Sequence, residues 1–177
     1  MESHTNAAWP GAAVALLLGA LSLSRWSSAA SQETAEACTG SIRLVRYEEQ
    51  CRQPLYSVDL YSDGAIVFLA NDSIDVQRAT SDLHAYDELR DALVTAGFLG
   101  MNGVYAIPSR DLGSVAITIN DGGQHHTVVC YGDGNQEQWR LILPKSEFDK
   151  VDWKNHDLIN SLAGQIDLAA GTKRWLR

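Results

Sequence analysis

The chain has 177 residues, 14 Lys and Arg against 22 Asp and Glu, a formal net charge of −8 at pH 7, and 45% hydrophobic residues. An acidic body repels phosphate backbones, so the charge balance argues against nucleic-acid binding, and a hydrophobic content this ordinary excludes a disordered or fibrous chain. A domain of roughly 150 residues buries about two thirds of its unfolded surface, so folding requires no cofactor, metal or disulfide lattice.

Residues 11–23 form an apolar run followed by Ser27, Ser28, Ala29 and Ala30. The run is short of the roughly 20 residues a membrane-spanning helix needs, and small residues after an apolar run suit a signal peptidase. The expectation is a signal peptide over residues 1–30, a flexible lead-in over 31–40, and one domain over 41–177 exported to a periplasm or the cell exterior, with no stable membrane span after processing. A signal anchor is the alternative, because Met1 to Pro10 carries no Lys or Arg. Ala35-Glu36-Ala37 before Cys38 also resembles a lipoprotein cleavage site.

Residues 41–47 alternate with Ile42 and Leu44 on one face and read as a strand; residues 54–61 alternate likewise through Tyr56, Val58 and Leu60. Ser62-Asp63-Gly64 then turns the chain into Ala65 to Leu69, and Asp-Gly between two alternating runs is a strong hairpin signal. A weaker strand follows from Ile74 to Ala79. Ser81 and Asp82 cap a helix carrying Leu83, Tyr86, Arg90, Leu93 and Val94, which Gly97 stops. After a loop containing Gly100, Gly103, Pro108 and Gly113, Val115, Ile117 and Ile119 alternate, Asp121-Gly122-Gly123 turns, and residues 125–131 return. Asn135 and Gln138 read as a capping box before a short helix that Pro144 ends. A last helix starting at Asn155 carries Leu158, Leu162, Ile166 and Ala169, and ends at Gly171. The order predicts an α+β fold, an antiparallel sheet of hairpins with helices packed on one face.

Cys38, Cys51 and Cys130 are an odd set. Cys38 and Cys51 bracket the first strand and form the candidate disulfide; Cys51–Cys130 is the alternative, and three unpaired thiols the third reading. Adjacent residues on a strand face opposite ways, so His125 and His126 do not share a metal, while His84 and His156 at helix starts read as surface residues. No metal site is expected. Asp133, Asn135 and Glu137 open like a calcium loop, but Gln138 and Pro144 stand where an EF-hand needs Gly and Glu. Cys130 mid-strand reads as a buried thiol rather than a nucleophile.

Gln50-Cys51-Arg52-Gln53-Pro54-Leu55-Tyr56, the Asp63-Gly64 turn, Ala96-Gly97-Phe98, Tyr105 with Asp111, the Val115 to Tyr131 hairpin and the end near Arg174-Trp175 follow one another in a recognisable order. Over roughly residues 41–175 the chain resembles a bacterial exported family, a domain of unknown function opening on Cys-Phe-Gly-x-Cys-Pro-x-Tyr. Glu49 and Gln53 stand where that family has its cysteines, and Cys51 stands at its glycine. The resemblance therefore implies fold and export, but not the family's cysteine pair.

Tyr105 and Asp111 in the long loop, with Trp139 and Trp153 near the C-terminus, are the candidate binding residues, since loops carry function and exposed aromatics make contact surfaces. Loop anchoring and core packing are their structural alternatives. No catalytic residue is singled out. The functional expectation is an exported, non-catalytic domain that binds an unidentified protein or a cell-envelope component. A small hydrolase-type enzyme using loop Asp and His residues, or a proteinaceous enzyme inhibitor, is the alternative.

Overall fold

The computed structural model describes residues 40–48, 53–71, 75–109, 112–132, 134 and 136–176. The chain divides into two compact units, Met1–Ala37 and Cys38–Arg177, and every described residue belongs to the second. The expected leader and all but the last residue of the lead-in, as well as Cys38, Cys51 and Asp111, lie outside the described residues.

The described strands are β1 (Gly40–Tyr47), β2 (Pro54–Tyr61), β3 (Ala65–Ala70), β4 (Gln77–Thr80), β5 (Val104–Ala106), β6 (Ser114–Asp121) and β7 (Gln124–Tyr131). They form one sheet in the order β4-β3-β2-β1-β6-β7-β5. All neighbours run antiparallel except β5 and β7, which are parallel. The helices are α1 (Leu83–Thr95), α2 (Gln136–Ile142), α3 (Lys145–Phe148) and α4 (Trp153–Ala170). The architecture is α+β, as the sequence predicts.

Both predicted hairpins form. Gly122 and Gly123 at the β6–β7 turn have φ of 54° and 85°, a pair of positive values that suits a two-residue turn matching strand twist and that L side chains resist. Four elements differ from expectation, one of them α3, which lies where the sequence reading has no element between Pro144 and Asn155. The weak strand predicted over residues 74–79 sits at Gln77–Thr80. β5 lies in the stretch predicted as loop: three residues paired in parallel with β7 leave no local turn signal. Helix α4 begins at Trp153 rather than Asn155, because the Asp152 carboxylate accepts the Asn155 backbone N–H and caps the helix two residues earlier.

Strand alternation builds the core. Ile42, Leu44, Val58, Leu60, Ile117 and Val128 are fully buried and join one cluster with Leu89 and Leu93 of α1 and Ile159 and Ile166 of α4. A fully buried aliphatic side chain of this size contributes about 1.5–3 kcal/mol over exposure. A satellite cluster gathers Ile107, Trp139 and Trp153 with Phe148 and Val151. No described helix is long and apolar enough to cross a membrane.

The ends of β1 are held by different helices. At Gly40 the Tyr86 ring of α1 lies against the backbone: a Cβ built on Gly40 would sit 2.1 Å from Tyr86 Oη and 2.8 Å from Cζ. Tyr86 is buried and its hydroxyl has no hydrogen-bond partner among the described residues. At the other end, Arg46 directs Nε (2.8 Å) and Nη2 (2.7 Å) onto Asp167 Oδ2 of α4. Tyr56 Oη (2.7 Å) and Thr172 Oγ1 (3.1 Å) donate to Asp167 Oδ1. One carboxylate thus ties α4 to β1, β2 and the turn beyond its own C-terminus. Trp175 closes this end by stacking on Phe68 at 4.8 Å, with the Arg174 guanidinium 4.0 Å from the Trp175 ring centroid.

Gly40→Ala lowers stability by about 1–3 kcal/mol in urea titration, the cost of overpacking a locked site. Tyr86→Phe alone is neutral or stabilising, because it removes a buried hydroxyl that has no partner among the described residues, and it restores part of the Gly40→Ala loss. Asp167→Ala, which leaves the Arg46 guanidinium without its counter-ion, costs about 2–3 kcal/mol in the same assay. Asp167→Asn recovers part of that loss by keeping the bonds from Tyr56 and Thr172.

Candidate functional site

Among the described residues, Cys130 and His156 are buried and already engaged. Cys130 on β7 is a free thiol with no exposure, and burial, assisted by the Asp157 charge, pushes its pKa up to about 12. A thiol held neutral is not a nucleophile. His156, which the sequence reading placed at the surface, is fully buried. Its spacing along α4 puts it on the stripe of Ile159, Ala163 and Ile166. Its Nε2 lies 2.9 Å from the Gly132 carbonyl, which can only accept, so Nε2 carries a proton and donates. The Asn160 amide nitrogen sits between these groups, 3.5 Å from His156 Nδ1 and 3.9 Å from Cys130 Sγ. The cluster has the residue types of a cysteine hydrolase, but its thiol is neutral and its imidazole serves as a strut between α4 and the end of β7.

The candidate residues are distributed as follows. Tyr105 is on β5, buried in the main core, and its hydroxyl oxygen accepts the Asn102 backbone N–H at 3.2 Å. Trp139 and Trp153 are buried in the satellite cluster. Trp153 Nε1 donates to the Phe148 carbonyl at 2.9 Å, and its ring packs against Phe148 and edge-on against His156. The structure therefore brings the two tryptophans together and leaves Tyr105 in the larger core. Among the described residues no three His, Cys, Asp or Glu side chains come together as a metal site.

Strand pairing assembles a surface on the other side of the sheet, which no single stretch of sequence shows. Side chains alternating with the core positions form the outer face. One row runs Leu69, Ser57, Val45, Ala116, Val129 and Val104, each directly opposite the next across six strands. At the usual strand spacing it is roughly 24 Å long. Ser57 is buried within it, while Val104 at the β5 edge is 60% exposed.

The adjacent row runs Arg78, Val67, Asp59, Arg43, Thr118 and Thr127. Arg43 Nε lies 3.7 Å from Asp59 Oδ1, and Thr118 and Thr127 share a hydrogen bond at 2.9 Å. Burial raises the Asp59 pKa, against the opposing pull of Arg43. Further toward the β6–β7 turn, Asn120 bridges Ser41 and His125. The outer face thus grades from an apolar row through an ion pair to hydroxyl and amide groups. Sequence alternation alone shows that these residues face away from the core; only the register shows which of them are neighbours.

No family model matches the chain, and a search of curated proteins finds no match.

Cys130 provides a test of this assignment. At pH 8, alkylation of Cys130 by iodoacetamide, followed by peptide mass spectrometry, is at least about 100-fold slower in the native protein than in urea, as expected of a core thiol exposed only by unfolding. The sign of the pH dependence follows from the raised pKa: the neutral thiol supports the fold below its ordinary value of 9.0, and this support is lost as pH rises toward about 12. Tyr86, raised to about 12 by burial, titrates in the same direction. Stability therefore falls across the alkaline range above about pH 9. Rapid alkylation of the folded protein would return Cys130 to the list of reactive groups.

Proposed function

We propose that this chain is an exported, non-catalytic domain that recognises a protein or cell-envelope component through the outer face of its sheet. In this reading α1 and α4 both cover the core face, leaving the outer face for the partner. The observation that carries it is the row from Leu69 to Val104 lying beside the Arg43–Asp59 pair. A six-strand face with an apolar row beside a polar one has the anatomy of a binding surface: apolar area supplies affinity, and the charged border sets orientation. The engagement of Cys130 and His156 in the core supports the non-catalytic part. Export rests on the apolar run at residues 11–23 and the small residues Ser27, Ser28, Ala29 and Ala30 that follow it.

The reading is tested by capture on the immobilised domain, using envelope extract from its own cells. A stoichiometric partner held by the wild type and by the control Leu168→Ser, a change at an exposed α4 position, is lost with the double variant Val104→Glu/Ala116→Glu. Circular dichroism and urea titration establish that all three proteins are folded. Retention by the double variant sinks the assignment of the face, and turnover in an activity screen sinks the non-catalytic reading.

Export has its own measurement. Intact mass of the protein recovered from the periplasm or medium starts at Ser31; a cytosolic protein keeping residues 1–30 overturns it.

A further inference from the structure

No further inference is drawn: the strongest candidate, the outer sheet face running from Leu69 on β3 to Val104 on β5, belongs to the site already described, and nothing in the structure shows what covers it.

Discussion

Strand β1 joins two hairpins that would otherwise be separate sheets. It pairs with β2 on one side and β6 on the other, so Leu44 faces Val58 across one ladder and Ile117 across the other. The first contact is local; the second closes a loop of more than 70 residues, an entropic cost that the core must offset. A one-residue slip in β1 would turn Ile42 and Leu44 outward and carry Arg43 into the core, so the hydrophobic pattern holds the register. The two ends reinforce it. Gly40 admits the Tyr86 ring only where there is no Cβ, and Arg46 reaches Asp167 only from the core side of the strand. With β1 fixed, α1 and α4 each have one position against the sheet.

What the sequence made legible was local. Asp-Gly turns, strand alternation and helix caps each act over a few residues, and they located the two main hairpins, α1 and the end of α4. What escaped was decided at long range. β5 exists because β7 offers it an edge, and Val104-Tyr105-Ala106 has no pattern long enough to show this. His156 was read by residue type, although its spacing of three, seven and ten residues to Ile159, Ala163 and Ile166 puts it on the buried stripe of α4. A signal for the Asp167 cluster was present. Arg46 shares strand parity with Ile42 and Leu44, and a cation at a core-facing position requires a partner. Its identity, 121 residues away, could not be read locally.

The candidate site divides along the same line. Tyr105, Trp139 and Trp153 were singled out for residue type and loop position, and their side chains are occupied in holding loops and short helices to the two cores. The outer face was not singled out because its members are unremarkable one by one: a valine, an alanine, a threonine. Its character comes from adjacency across six strands. Recognition surfaces on sheets are in this respect less visible in sequence than catalytic clusters, whose residue types announce themselves.

Asp59 gives the outer face a meaning beyond shape. Its folded-state pKa is raised, chiefly by burial, so the native state binds a proton at Asp59 more tightly than the unfolded chain does. The associated stability is present at acid pH and is lost as pH rises through the folded value. Arg43 offsets this only in part, because its side chain is 51% exposed and the pair is 3.7 Å apart. A threonine at this position would continue the row toward Thr118 and suit a strand better than an aspartate does. Here the disfavoured residue stands beside the apolar row, at the boundary where a partner would meet both greasy surface and charge.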